Sequence, residues 1–242
     1  MEIAVYAAEA EREQDHWWFV GRRRLFAAEM ARAGVSRDAA VLDVGTGTGS
    51  NLRMLQDLGY TRVTGLDESD EAIRFCASKG LGGVRKGDIC AMPFADASFD
   101  FVLATDVIEH VDDDRRAAAE ILRVLRPGGR ALITVPAFQS LWGLQDRQSH
   151  HKRRYRKRAL RNVLQAGGMR VERSYYFNYL LFVPIWLARR AIDLFGVTVE
   201  SENQINNPLA NRLLSCVFAC DVSTAPFLHP PFGVSILAVI KK

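Results

Sequence analysis

A short apolar run that ends in three alternating glycines is the feature that most constrains this chain. Val41–Val44 is predicted to be a buried strand, and Gly45, Gly47 and Gly49 follow it before a helical pattern begins at Asn51. Glycine lets the backbone turn tightly and approach a ligand closely, and the next helix offers free N–H groups at its N-terminus. The segment therefore predicts a strand–turn–helix unit with a ligand-binding loop.

The spacing of these glycines narrows the kind of ligand. A dinucleotide fingerprint needs glycine at the sixth position counted from Gly45, where this chain has Ser50, and no Gly-Lys-Ser/Thr follows as in a phosphate-binding P-loop. Asp67 lies 22 positions after Gly45, at the end of the next predicted strand, where a carboxylate can accept from both hydroxyls of a ribose. The pattern favours an adenosine without a pyrophosphate. A nicotinamide-dependent oxidoreductase is disfavoured but stays open as an alternative.

Strand-like and helix-like segments alternate between residues 40 and 136, which is typical of βαβ units and of a parallel sheet covered on both faces. Asp106 and Glu109 have the spacing of a capping box for the helix after the fourth strand. The predicted helices are Asn51–Leu58, Glu71–Ser78 and roughly Val107–Leu125, and the further strands are Arg62–Asp67, Val84–Lys86, Phe99–Ala104 and Ala131–Val135.

Beyond Pro136 the alternation changes. About fifty helix-like, partly very apolar residues separate two further strands. The segments predicted outside the alternating region are a helical N-terminal arm over Glu11–Ala33, a helix over Arg158–Ala166, and strands over Met169–Phe177 and Gly233–Ile240.

Four blocks of the sequence carry a family resemblance. In chain order they are LDVGTGTG (42–49), VTGLDES (63–69), GDICAMPFADASFDFVLATDVIEHV (87–111) and EILRVLRPGGRALITVP (120–136). Together they resemble the class I S-adenosylmethionine-dependent methyltransferases. Residues 16–19 (HWWF), Arg22-Arg23 and residues 150–155 resemble a bacterial type 11 subgroup of that family.

The resemblance implies an α/β fold with a Rossmann-like seven-stranded sheet, parallel except for its last strand and flanked by helices with a helical cap. It implies a single domain of 242 residues. Its parts are an N-terminal helical lid (1–39), a cofactor-binding core (40–136), an acceptor-side segment with the helical cap (137–232) and the last strand (233–242). It also implies S-adenosylmethionine as the cofactor and S-adenosylhomocysteine as the product.

The same resemblance implies where the cofactor is held. The glycine loop and the aspartate before it would hold the methionine end of the cofactor. The acids after the second strand would hold the ribose, and the residues after the third strand would contact the adenine. The alternative to a cofactor contact is a helix-capping role for Asp67 and a turn position for Asp88. The predicted cofactor contacts are Asp43, Gly45, Thr46, Gly47, Gly49, Asp67, Glu68, Asp88, Ile89, Thr105 and Asp106.

Three groups of residues point to the acceptor. His110, His150 and His151 are candidate catalytic bases for an acceptor hydroxyl, with a structural role as the alternative for His110. Six cations in the seven residues 152–158 indicate either an anionic acceptor or an ordinary solvated helix start. The aromatic N-terminal segment is either a lid over the site or a helix pinned to the core. The predicted acceptor contacts are His16, Trp17, Trp18, Arg22, Arg154 and Tyr155.

Composition limits the partners and the location. The net charge of +4 and a single compact basic run disfavour a nucleic-acid partner. The four cysteines lack the spacing of metal ligands, and no metal site is predicted. The first residues do not show the basic start and apolar core of a signal peptide, so a cytoplasmic location is predicted. The apolar stretch Tyr175–Val197 is interrupted by charges and Pro184, which leaves contact with a membrane surface open.

The sequence thus predicts methyl transfer from S-adenosylmethionine to a small molecule or glycoconjugate, anionic or lipid-linked. The resemblance favours an oxygen acceptor and in-line displacement. A non-catalytic cofactor-binding partner on the same fold stays open as an alternative, because fold does not guarantee activity. The identity of the acceptor and the oligomeric state are not predicted.

Overall fold

A computed structural model of the chain describes residues 3–195 and 207–242. Its strands are β1 (Ala40–Val44), β2 (Arg62–Asp67), β3 (Val84–Lys86), β4 (Phe99–Thr105), β5 (Leu125–Pro136), β6 (Arg170–Phe177) and β7 (Ser235–Lys241). They form one sheet in the order β3-β2-β1-β4-β5-β7-β6. Strand β7 pairs antiparallel with β5 and β6, while the pairs from β3 to β5 are parallel. The predicted fold class is confirmed.

Helices cover both faces of this sheet. They are α1 (Ile3–Arg12), α2 (Trp17–Arg32), α3 (Ser50–Asp57), α4 (Asp70–Ser78), α5 (Asp114–Val124), α6 (Leu144–Gln148), α7 (Lys157–Ala166), α8 (Phe182–Phe195) and α9 (Pro208–Leu228), with a 3-10 turn at Gln139–Leu141. One hydrophobic core lies between the sheet and helices α5 and α7, and a second lies between the sheet and helices α2, α3 and α9. All five residues of β1 are buried, as expected for a parallel strand covered on both sides.

The order of the strands places the ligand-binding edge. Strands β2 and β3 lie on one side of β1, and strands β4 and β5 lie on the other side. In open α/β sheets, ligands bind at the carboxyl ends of the strands where the strand order reverses. The glycine loop leaves the carboxyl end of β1 at this point.

The helix predicted over Val107–Leu125 begins seven residues later, at Asp114, and the capping-box interpretation is wrong. Asp113 caps this helix, because its carboxylate accepts from the backbone N–H of Arg116 at 2.9 Å. Asp106 instead has a φ of +55°, and Glu109 is completely buried in the loop that follows β4. Strand β5 also starts at Leu125, six residues before the prediction.

The predicted N-terminal arm is two helices rather than one. His16 separates them and caps α2, with its Nδ1 accepting from the N–H of Trp18 at 3.4 Å. Trp17 and Trp18 pack against Phe218 of α9, each with ring centroids 5.2 Å apart. The aromatic segment therefore does pin α2 to the core, as the structural alternative requires.

The cap consists of α8 and the long helix α9. Asp221 of α9 is completely buried and accepts from the N–H groups of Asn178 and Leu180 at 2.6 and 2.8 Å, which fixes the turn between β6 and α8. Residues 196 and 197 of the predicted apolar stretch lie outside the described residues. Within residues 3–195 and 207–242, no helix combines the length and the apolar character needed to cross a bilayer.

Candidate active site

The glycine loop has the open conformation that its sequence predicts. Gly45, Gly47 and Gly49 have φ angles of +69°, +54° and +87°. A Cβ on Gly45 would lie 2.4 Å from a methyl group of Val107, so this position requires glycine for close packing. A Cβ on Gly47 would meet nothing nearer than 4.0 Å, because this glycine faces open space at the carboxyl end of β1. The loop leaves room there for a ligand.

Asp43 lies in β1 under the loop with one carboxylate oxygen unsatisfied. Its Oδ1 accepts from the side-chain amide of Asn51 at 3.1 Å, and the same amide donates to Oγ1 of Thr105 at 3.0 Å. Oδ2 of Asp43 is buried and has no hydrogen-bond partner among the described residues. Burial raises the pKa of Asp43 to about 7. A buried, unpaired carboxylate oxygen beside an open loop fits a cationic ligand group.

Asp67 ends β2 next to the loop. Its carboxylate accepts from the N–H of Gly47 at 2.8 Å and from the N–H of Ser69 at 2.9 Å. Ser69, and not Asp67, caps helix α4. Each carboxylate oxygen can accept a further bond.

The residues after β3 complete this edge. Asp88 is exposed and accepts from the N–H of Cys90 at 2.7 Å, whereas Ile89 is buried in the core. Glu68 is exposed beside Asp67. These residues lie on the β2–β3 side of the glycine loop.

A cavity of about 710 Å³ opens on the other side of the loop. Gly45, Thr46, Gly47, Thr105 and Asp106 form its polar floor at the ends of β1 and β4. Much of the remaining wall is apolar and comes from α2 and from one face of α8. Its larger apolar residues are Trp17, Trp18, Phe19, Phe26, Leu181, Pro184, Ile185, Ile192 and Leu214.

An ion pair joins the N-terminal helix to the end of β4. Arg22 of α2 lies 2.5 Å from Oδ2 of Asp106, and its guanidinium also lies over the rings of Trp18 and Phe26. Oδ1 of Asp106 accepts from the hydroxyl of Thr134 at 3.1 Å. Both members of the pair line the cavity.

Two of the three candidate histidines meet at the cavity. The rings of His110 and His151 are 4.6 Å apart, edge to face, and both line the cavity. Burial and the neighbouring His151 lower the pKa of His110 to about 4. His150 is exposed, has a φ of +55° and does not line the cavity, so the structure does not place it with the other two.

Asp146 organises the wall that carries His151. It is completely buried, and its carboxylate lies 2.8 Å from Nδ1 of His151 and forms two bonds with Arg154 at 2.7 and 2.9 Å. Hydrogen bonds from His151 and Arg154 hold the pKa of Asp146 well below its usual range despite its burial. Arg189 of α8 lies 3.8 Å from the same carboxylate. Arg154 therefore lines the cavity as part of an ion-paired group.

The first two residues of the basic run hold two loops together. The backbone N–H of Lys152 donates to the carbonyl of Glu109 at 2.9 Å, and Arg153 donates to the carbonyls of Val111 and Asp112 at 2.9 Å. Lys152 and Arg153 also form ion pairs with Asp112 and Asp114. These contacts hold the loop after β4 against the segment that carries His151.

Tyr155 does not take the predicted position at the acceptor. It is buried in the core between the sheet and α5, and its hydroxyl donates to Asp114 at 2.8 Å. The backbone of Tyr155 pairs with that of Ala137 in a short β-bridge beside β5. The side chain of Tyr155 does not line the cavity.

Comparison with known proteins identifies the family. Residues 42–133 match the family model described as a methyltransferase domain, type 11. The chain is 31% identical over 200 residues to a malonyl-[acyl-carrier protein] O-methyltransferase of Enterobacter lignolyticus, covering 80% of this chain and 78% of that protein. The chain belongs to the class I S-adenosylmethionine-dependent methyltransferases. This membership makes it an enzyme that uses S-adenosylmethionine, and it decides against a nicotinamide-dependent oxidoreductase.

Other relatives of this methyltransferase match shorter parts of it. An O-methyltransferase of Aspergillus nomiae is 36% identical over 104 residues, which are 40% of this chain and 46% of that protein. Among solved structures, a methyltransferase from Archaeoglobus fulgidus has a TM-score of 0.56 and 20% identity, covering 91% of this chain and 94% of the other. The [4+2]-cyclase SpnF has a TM-score of 0.61 and 23% identity, covering 91% of this chain and 80% of the other. These structural similarities show the fold alone.

Sequence reasoning missed several residues that the methyltransferase brings to the site. Asn51 links Asp43 to Thr105, Asp146 holds His151, and Glu109 lies 4.0 Å from His151. The available signal was two adjacent pairs, Glu109-His110 after β4 and His150-His151 after β5. Carboxyl ends of neighbouring parallel strands meet at one edge of a sheet, which is where these pairs converge.

Proposed function

We propose that this methyltransferase transfers the methyl group of S-adenosylmethionine to an oxygen atom of a largely apolar, lipid-linked small acceptor. The cavity between the glycine loop and helices α2 and α8 is the observation that carries this proposal. It joins a polar floor at the ends of β1 and β4 to a mainly apolar wall. Two histidines lie on the same cavity surface.

The cofactor would lie along the carboxyl ends of β3, β2, β1 and β4. S-adenosylmethionine supplies an electrophilic methyl group when it is bound. Asp43 would bind the cationic amino group through its unpaired Oδ2, and the open face of Gly47 leaves space beside it. Asp67 would accept from the ribose hydroxyls with its remaining lone pairs. Asp88 and Ile89 would contact the adenine from the end of β3.

The acceptor would occupy the apolar part of the cavity. One face of α8, with Pro184 and Ile185, lines this cavity. The other face exposes large apolar side chains, with Val183 53% and Leu187 55% exposed. A helix that is apolar on both faces favours contact with a lipid surface beside the binding site. The bacterial and fungal relatives described above are O-methyltransferases, which supports oxygen as the methylated atom.

The proposed position of the cofactor is tested by calorimetric titration with S-adenosylmethionine. We expect saturable binding by the wild-type protein, at least about tenfold weaker binding by Asp67→Ala, and no binding of NADH. Two charge-assisted hydrogen bonds to a ribose account for an effect of this size. Asp70→Ala is the matched control, since Asp70 is exposed three residues further on and pairs with Lys86. Equal affinities of Asp67→Ala and wild type would overturn the position.

The proposed acceptor class is tested with vesicles. Wild-type protein should co-sediment with vesicles of phosphatidylethanolamine and phosphatidylglycerol, and Trp186→Ser with Leu187→Ser should reduce the bound fraction severalfold at unchanged affinity for S-adenosylmethionine. Phe227→Ser near the far end of α9 removes an apolar side chain that is 72% exposed, more than Trp186 or Leu187, and serves as the control. No binding by the wild type, or equal binding by all three proteins, contradicts a lipid-linked acceptor.

A further inference from the structure

We propose that Glu109, His110 and His151 bind a divalent transition-metal ion at the edge of the cavity. One ligand atom from each of the three side chains lies within 4.8 Å of the others. Nε2 of His151 is 4.0 Å from Oε1 of Glu109. That separation is too long for a hydrogen bond. Tetrahedral bonds of about 2.0–2.2 Å to zinc place two ligand atoms about 3.3–3.6 Å apart, so a bound ion would draw these two atoms together by about half an ångström.

Glu109 gives the strongest reason to expect a cation. Its side chain is completely buried, and neither carboxylate oxygen has a hydrogen-bond partner in the described part of the chain. A buried carboxylate without partners is costly, and native proteins normally pair such groups or use them as metal ligands. A cation between Glu109 and the two imidazoles would satisfy the carboxylate.

The surroundings of the two histidines leave one nitrogen of each ring available. Nδ1 of His151 is 2.8 Å from Oδ1 of Asp146, and the ring of His110 is hydrogen-bonded to the backbone of Ser149. Metal-binding histidines typically donate their second N–H to a carboxylate or to a backbone carbonyl, which fixes the ring orientation and the tautomer. Asp146 is itself held by Arg154 and by the N–H of Gly143 at 2.8 Å. The two histidines are thus positioned by groups outside the cluster.

The ligand set also indicates the kind of ion and its chemistry. Two imidazoles and one carboxylate suit zinc, cobalt, iron or manganese better than magnesium or calcium. Three protein ligands leave at least one coordination position, and His110 and His151 face the cavity. An acceptor oxygen would fill that position, and a metal ion lowers the pKa of a bound hydroxyl group. This last step rests on the proposed function, and it would replace the predicted general-base role of the two histidines.

The test measures metal binding without any methyl acceptor. The full-length protein is freed of metal with a chelator and titrated with Co²⁺, whose visible absorbance reports nitrogen and oxygen ligation. We expect one equivalent of bound Co²⁺, displaced by Zn²⁺. Glu109→Gln and His151→Ala should each weaken binding by more than about 100-fold, beyond the roughly 10–100-fold that the loss of an outer-shell partner costs. His150→Ala is the matched control, an exposed histidine at the neighbouring position, and should bind like the wild type.

Titration of the same samples with S-adenosylmethionine separates the two proposals. Folded protein that binds S-adenosylmethionine but no Co²⁺ would overturn the metal site and leave the proposed function standing. Binding of Co²⁺ that Glu109→Gln and His151→Ala do not change would also overturn the site. Loss of Co²⁺ binding in either variant, with affinity for S-adenosylmethionine retained, supports it. Because Glu109→Gln keeps the size and shape of a side chain that has no hydrogen-bond partner to lose, this variant should remain folded.

Discussion

The proposed cofactor side and the proposed acceptor side of the site are assembled in different ways. On the cofactor side, Asp43, Asp67 and the glycine loop come from the carboxyl ends of neighbouring parallel strands, so the sheet alone brings them together. On the acceptor side, contacts between distant segments do this, as in the pairing of Asp146 with Arg154 and of Arg22 with Asp106. The geometry of the sheet therefore positions the residues of the cofactor side, and ion pairs between distant segments position those of the acceptor side.

The largest effect is expected from Asp146→Asn, which breaks the charge network of the acceptor side. Removing one member of a buried ion pair leaves Arg154 uncompensated and costs about 3–5 kcal/mol. We expect a loss of this size in the free energy of unfolding measured with urea at pH 7. Asp112→Asn is the control, because Asp112 is 89% exposed in its pair with Lys152, and this variant should unfold like the wild type.

The pH dependence of the same variant sharpens this prediction. The folded-state pKa of Asp146 is depressed, so its contribution to stability is present above the unfolded-state value of about 4 and is lost as pH falls through the folded value. The difference between wild type and Asp146→Asn should therefore shrink below about pH 4. A difference that is constant between pH 7 and pH 3 would contradict the role of the charge.

On the cofactor side, Asp43→Asn should have the opposite effect on stability. Burial raises the pKa of Asp43 to about 7, so this carboxyl group lowers stability progressively as pH rises from the unfolded-state pKa of about 4 to about 7. The variant should gain roughly 1–3 kcal/mol of unfolding free energy at pH 8, and the gain should vanish near pH 4. Affinity for S-adenosylmethionine should fall at least about tenfold at pH 8.

The two readouts for Asp43→Asn come from urea unfolding and calorimetric titration of the same samples. Asn51 can still donate to the new amide oxygen, so the local network with Thr105 should persist. A variant that is less stable at pH 8, or that binds S-adenosylmethionine as tightly as the wild type, would show that Asp43 is structural and not a cofactor ligand.

The smallest effect is expected from Tyr155→Phe. This change removes one hydrogen bond to Asp114 from the core and should cost about 1 kcal/mol of unfolding free energy. Because Tyr155 does not line the cavity, affinity for S-adenosylmethionine and vesicle binding should be unchanged. A loss of either without a loss of stability would return Tyr155 to the acceptor site.

The sequence was most informative where local rules decide the structure. The bounds of β2 and β3 were predicted to the residue, and the glycine loop has the positive φ angles that its composition requires. Prediction failed after β4. The spacing of Asp106 and Glu109 satisfies a local capping rule, but tertiary contacts bury Glu109 and hold its carbonyl on the N–H of Lys152. The helix therefore begins only at Asp114.

The acceptor side was less predictable for the same reason. Residue type made all three histidines candidate bases, whereas only His110 and His151 converge. Their meeting depends on Asp146, which no local pattern marks, and on hydrogen bonds between segments about 40 residues apart. The basic run indicated either an anionic ligand or a solvated face, yet Lys152, Arg153 and Arg154 are paired with carboxylates of this same chain.

A crystal structure with bound S-adenosylhomocysteine would test most directly whether the two sides form one active site. The account predicts ribose hydroxyls on Asp67, the amino group on Asp43, and the sulfur atom facing the cavity that contains His110 and His151. A bound ligand whose sulfur faces away from this cavity, or whose ribose makes no contact with Asp67, would contradict it.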